Sequence, residues 1–199
     1  MTQPYLETPN TFGLAMLLQL VTLAIAMAGL YFLDVQVSIL GALGFSGLLM
    51  GILGALLSYA AALWLTRSRT VVGETLRKHC RDLHSLFARY SMPQILLVSV
   101  AAGVCEELLF RAFLQPWLSQ LTTPLLGLIG ASTAFALLHY ASFTYFAATL
   151  VVGLALGISY RLTESLLCVV TWHAVYDLLA ITALVRYPQL FGVPAADKT

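Results

Sequence analysis

The stretch TFGLAMLLQLVTLAIAMAGLYFL, residues 11–33, holds nothing more polar than Gln19 and no charged side chain. A bilayer crossing takes about 20 apolar residues, so this run reads as a membrane span. It is about twice the length of a signal-peptide core, and no Lys or Arg precedes it, so it reads as a retained span. Asp34 and Gln36 mark the turn that ends it.

The rest of the chain follows suit. Of 199 residues, 60% are hydrophobic and 10% charged, against about 45–50% and about 25% in soluble domains. Six crossings of about 20 residues would use that apolar share. The expected fold is therefore an all-α, polytopic transmembrane helix bundle of about six spans, forming a single integral-membrane domain over residues 1–199. The spans are expected at about 11–33, 38–65, 93–117, 124–140, 143–160 and 165–185. A net charge of +1 with no basic tract excludes nucleic acid as a partner. Cys80, Cys105 and Cys168 lie far apart and form no CxxC pair, which suggests neither a disulfide framework nor a zinc knuckle.

The run 38–65 carries Gly44, Gly47, Gly51 and Gly54 at intervals of three and four, a small-residue stripe that lets another helix approach closely. Six of the ten Lys and Arg residues fall in 67–90, so the loop 67–92 is expected on the cytoplasmic side. Counting from it puts both termini there too. Leu76, Cys80, Leu83, Phe87 and Tyr90 recur at intervals of three and four in this loop, as in an amphipathic helix lying on the membrane surface. His79 and His84 are five apart and do not stack on one helical face.

The later spans break the apolar rule with Glu106, Glu107, Arg111, His139, His173 and Asp177. An ionised side chain at mid-bilayer costs at least about 2.5–3.5 kcal/mol, so these six groups are expected to meet in one internal cavity. Glu107 and Arg111, four apart, can pair on one helical face, and so can His173 and Asp177. Glu106 is turned about 100° from Glu107, which leaves it free for chemistry. Phe135 lies one turn before His139 and can wall its ring. Counting rise per residue from the span ends sets His139 nearer the cytoplasm than Glu106 and His173 by up to about 12 Å, a tension in the expected meeting. Ser132, Thr133 and Thr149 share these spans, but small hydroxyls in membrane helices bond the backbone one turn back.

Peptide hydrolysis needs a water, a base and donors to an oxyanion, which a glutamate and two histidines can supply. The same Glu106, His139 and His173 would also suit a zinc ion, with Asp177 orienting His173 and one coordination position left for water. The chain has no HExxH. The cofactor expectation is thus none, or one divalent metal. A Glu/His/Asp cluster would equally serve a proton-coupled transporter or proton relay, although the paired broken helices and repeats of many transporters are not visible.

Glu106-Glu107-Leu-Leu-Phe-Arg111 fits EExxxR, Phe135-Ala-Leu-Leu-His139 fits FxxxH, and His173-Ala-Val-Tyr-Asp177 fits HxxxN/D, in that order along successive spans. The chain thereby resembles the CAAX prenyl protease and bacteriocin-processing family of intramembrane endopeptidases (CPBP, or Abi), over about Pro93 to Val185. The resemblance implies that Glu106 and His139 activate a water, that Glu107 and Arg111 brace the helix, and that His173 with residue 177 completes the site. It implies a membrane-associated peptide or protein as substrate, cut near its C-terminus, and an integral membrane location, a bacterial inner membrane being the expectation. The family has been described both as metalloproteases and as metal-free glutamate enzymes. Asp177 departs from the usual Asn, and an ionised Asp cannot donate to an oxyanion. A catalytically idle member serving as a membrane scaffold is the remaining alternative.

Overall fold

The computed structural model describes residues 10–191, and these form helices joined by short turns, with no strand among them. In chain order the helices are α1 (Thr11–Phe32), α2 (Ser46–Arg67), α3 (Val71–Phe87), α4 (Met92–Glu107), α5 (Gln115–Leu121), α6 (Pro124–Leu138), α7 (Phe143–Thr163) and α8 (Leu166–Arg186). Four of them, α1, α2, α7 and α8, are long and apolar enough to cross a membrane by length and composition, and α6 is a shorter apolar helix. The expected span at 93–117 is composite, because α4 runs without a break through a π-helical stretch, Leu108–Leu114, into α5. The architecture is an all-α membrane bundle. The termini expected on the cytoplasmic side lie outside the described residues.

Short polar side chains start these helices. Asn10, Thr70, Thr123, Ser142 and Ser165 each accept a hydrogen bond from a backbone N–H of the first turn. Each such cap is worth about 1 kcal/mol. Arg77 closes the other end of α2 by donating to the Thr66 and Ser68 carbonyls, at 2.6 and 2.7 Å.

The second span begins later than the apolar run suggests. Residues 38–45 form a turn in which Gly41 and Gly44 take positive φ, and the Ser38 and Ile39 carbonyls accept from the first N–H groups of α8, Leu166 and Leu167. A helix end leaves such N–H groups without partners, and this segment supplies them, with only a short 3-10 turn, Gly41–Leu43, of its own. Gly41 rests on the backbone of Thr163 and Glu164, where a Cβ would strike the chain.

The glycine stripe has α8 as its partner. A Cβ at Gly47 would meet Ser165, one at Gly51 the Cys168 carbonyl and Thr171, and one at Gly54 the Trp172 ring. Gly44 is not part of this contact, since it lies in the preceding turn with open space around its Cα. The seam is finished by the Trp172 indole N–H, which donates to Ser58 Oγ at 3.0 Å. From the other side Gly103 of α4 admits Ala174 and Val170 of α8. Lipid tails give apolar helices no hydrophobic reason to associate, so close backbone approach of this kind holds them together.

The apolar face of α3 does not lie bare on a surface. Cys80 and Leu83 pack with Tyr59, Leu63, Leu184 and Phe191, while Phe87 packs against Tyr90 and Ile95. The helix is amphipathic as expected, but its apolar side caps the end of the bundle. Burial there pushes the Cys80 thiol up to about 11 despite neighbouring Arg81.

Candidate active site

Glu106 and Glu107 occupy the last turn of α4, where the helix widens. The Gln115 N–H bonds the Phe110 carbonyl, five residues back. Pro116 follows, and proline has no N–H and would strike the carbonyl four residues before it. The helix avoids that clash by widening upstream of the proline. π turns of this kind occur often at functional sites.

Arg111 lies inside the widened stretch, fully buried with Glu107. Its Nε is 3.2 Å from Glu107 Oε2, its Nη1 donates to Glu107 Oε1 at 3.2 Å, and its Nη2 donates to the Gly153 carbonyl of α7 at 3.1 Å. The guanidinium also lies over the Phe135 ring, 4.6 Å from its centroid. The expected ion pair therefore ties α4 to α7 as well as bracing its own helix.

Glu107 reaches further than the spacing of four implied. Its Oε1 is 2.7 Å from His173 Nδ1. A carboxylate can only accept, so Nδ1 carries the proton and Nε2 is turned toward Glu106. Orienting His173 was the role expected of Asp177, and here Glu107 holds that nitrogen. Asp177 Oδ2 lies instead 3.5 Å from Nε2, on the reactive side of the ring. His139 is fixed in the same sense: its Nδ1 is 2.9 Å from the Phe135 carbonyl and so donates to it, which leaves Nε2 free.

Both free nitrogens face one atom. Glu106 Oε2 is 3.7 Å from His139 Nε2 and 4.0 Å from His173 Nε2, and it is buried without a hydrogen-bond partner. The other oxygen, Oε1, accepts from Gln19 Nε2 of α1 at 2.8 Å. Phe135 contacts both imidazoles, with centroid separations of 4.6 Å to His139 and 5.9 Å to His173. All seven residues expected at the site thus come together. The expected difference in depth does not keep them apart, since one Glu106 oxygen lies within 4.0 Å of both imidazoles, with His139 at the C-terminal cap of the 15-residue α6. At 1.5 Å per residue that helix spans about 22 Å, so its end falls inside the bundle.

A cavity of about 380 Å³ opens from this cluster toward α3. His139, His173 and Asp177 line its polar end, and Tyr59, Leu83 and Leu184 are among the side chains of its apolar length. His79 reaches this cavity from α3, 2.8 Å from Ser142 Oγ at the start of α7, with its ring beside Tyr145.

A tetrahedral metal with bonds of about 2.0–2.2 Å sets its ligands about 3.3–3.5 Å apart. The Glu106 to histidine separations are wider, and among the described residues no set of three or more His, Cys, Asp or Glu side chains closes to a metal-holding geometry. As arranged, the residues do not fit a zinc centre.

Gln19 was visible in the sequence as the most polar residue of its span, but no motif includes it. Gly153, which receives Arg111, has no signal beyond being a glycine in an apolar helix. Of the small hydroxyls expected to bond the backbone one turn back, Thr149 does so, to the Tyr145 carbonyl at 2.9 Å, whereas Ser132 Oγ is buried without a hydrogen-bond partner.

Neither a curated protein nor a solved structure gives a significant match to the chain. Residues 88–179, just under half of the chain, match the family described as Rce1-like, type II CAAX prenyl endopeptidase. The match contains every charged or histidine residue of the site. Together with four long apolar helices it makes the chain an integral membrane protein. Over the stretch that builds its site, the chain is similar to the Rce1-like family, the group to which its three motifs pointed.

Proposed function

We propose that the chain is an intramembrane endopeptidase that hydrolyses a peptide bond near the C-terminus of a membrane-associated protein or peptide, with Glu106 as a metal-free base. The observation that carries this reading is the state of Glu106: one oxygen is held by Gln19, and the other is buried, unpartnered and directed at two imidazole nitrogens. A water between these groups would give one hydrogen to Glu106 Oε2 and the other to His139 Nε2. Glu106 takes the first proton as the oxygen attacks the scissile carbonyl, and later delivers it to the leaving amine. His173, held between the Glu107 and Asp177 carboxylates, donates from Nε2 to the oxyanion when protonated. The apolar cavity supports a substrate that brings hydrocarbon with its peptide, and its polar end would receive the scissile bond.

The test is cleavage of a library of membrane-anchored C-terminal peptides by the purified chain. Glu106→Gln and His139→Ala are expected to lose turnover by about 10²–10⁴, the usual contribution of a positioned base, with melting temperatures close to that of the unaltered chain. Chelators are expected to leave the unaltered chain active. Full turnover in Glu106→Gln would end the reading, and chelator-abolished turnover restored by zinc would replace its metal-free part.

A further inference from the structure

Glu106 has two chemically equivalent oxygens and three rotatable side-chain bonds, so something must decide which oxygen meets the substrate. That choice is made from a helix outside the family match. Gln19, 87 residues away on α1, donates to Oε1 and leaves Oε2 toward the histidines. The donor is unambiguous, because an ionised carboxylate offers no hydrogen and the amide must turn its NH₂ group to it.

A lone amide in a membrane helix could be no more than adhesive between helices. Two observations argue for a more specific part. In the middle of α1 the other polar side chain, Thr22, bonds the Leu18 carbonyl of its own helix, so it ties α1 to nothing else. And α1 already has a close contact of its own, with Phe113 seated on Gly29. The bond from Gln19 instead ends on the carboxylate whose second oxygen is left buried and unpartnered.

We infer that Gln19 is a positioning residue for hydrolysis: its amide pins Oε1 so that Oε2 alone is presented to the attacking water. The inference rests on the reading of Glu106 as the base. It gives α1 a part in the chemistry.

The experiment measures kcat and KM on one membrane-anchored peptide that the unaltered chain cleaves, for that chain, Glu106→Gln, Gln19→Met and Gln19→His, with a melting curve for each. Methionine keeps the volume of glutamine and removes the donor, whereas the Nε2–H of histidine extends about as far from the backbone as the glutamine amide. Gln19→Met is expected to lower kcat by about ten- to hundred-fold, the effect of misplacing a reacting group by about 1 Å. KM and melting temperature should stay close to those of the unaltered chain, and Gln19→His should recover most of the loss. Unaltered kcat in Gln19→Met beside an inactive Glu106→Gln would overturn the inference and leave the base in place. A kcat loss accompanied by raised KM and lowered melting temperature, with no recovery in Gln19→His, would overturn it in favour of packing. Full turnover in Glu106→Gln would overturn the reading of the base and this inference together.

Discussion

Helix α8 has two seams, and they are built alike for different ends. Toward α2 the contact rests on Gly47, Gly51 and Gly54 lying against Ser165, Cys168, Thr171 and Trp172. Toward α4 it also rests on a glycine, Gly103, which admits Ala174 and the Val170 carbonyl. One turn further along α4, however, the second seam carries Glu107 bonded to His173. Small residues set the distance between helices in both places, and only where that distance is set does a 2.7 Å bond between two short-reaching groups become possible. The seam toward α2 holds α8 still, and the charged seam toward α4 uses its position.

The sharpest way to separate the seams is to strand a charge in the charged one. Glu107→Gln leaves Arg111 buried without its counter-charge and gives His173 Nδ1 a neutral amide oxygen in place of a carboxylate, and is expected to cost about 3–5 kcal/mol, as does loss of one partner from a buried pair. Arg111→Met should cost a similar amount. Replacing both by methionine removes the stranded charge, so the double variant should melt nearer the unaltered chain than either single one. It should still be a poor enzyme, since His173 has lost the acceptor that fixes its ring. Melting curves and turnover on the three variants check this, and a double variant less stable than both singles would mean that the pair contributes more than it costs.

The reach of Glu107 shows where sequence reasoning stopped. Spacing along one helix identified its partner Arg111, because a separation of four is a geometric fact about that helix. Spacing is silent about a second helix, and a carboxylate has two oxygens with room for several donors. The contact of Glu107 with His173 and that of Glu106 with Gln19 both cross between helices, so no count along the chain contains them. The six ionisable residues were legible because charge is costly in a bilayer and must be gathered. The widened turn at Leu108–Leu114 is hidden in a different way: Pro116 carries no charge and breaks no spacing, yet its missing N–H acts on the turn before it. The same applies to residues 38–45, which belong to an apolar run but lend the Ser38 and Ile39 carbonyls to the start of α8.

A smaller intervention tests whether the two seams differ in what they position. Gly51→Ala and Gly103→Ala each add a methyl group where neighbouring atoms must move, the Cys168 carbonyl in one case and Ala174 in the other. Overpacking of this kind costs about 1–3 kcal/mol, so both variants should melt lower by similar amounts. Their turnover should diverge. Gly103→Ala pushes α4 from α8 and lengthens the Glu107 to His173 bond, whereas Gly51→Ala acts on the far side of α8. Equal loss of kcat in both at a temperature where both are folded would show that α8 moves as one rigid piece and that the distinction between seams is empty.

The smallest expected effect is at Asp177, and it follows from which nitrogen each carboxylate faces. Were Asp177 the group that fixes the His173 ring, Asp177→Asn would misorient the imidazole and cost about 10–100-fold, as loss of such a partner does around a metal-bound histidine. Glu107 already holds Nδ1 at 2.7 Å, and Asp177 is 3.5 Å from Nε2. The carboxylate is also partly open to the cavity, with 27% of its side chain exposed, so water can take up part of its role. An asparagine there still offers an oxygen to the imidazole and adds an N–H that can reach an oxyanion, which an ionised aspartate cannot do. Asp177→Asn is therefore expected to keep turnover within a few-fold of the unaltered chain, or to raise it, with melting temperature unchanged. Measured beside Glu107→Gln, it asks which of the two carboxylates orients the ring: an inactive but folded Asp177→Asn would give that part to Asp177 and leave Glu107 to Arg111 alone.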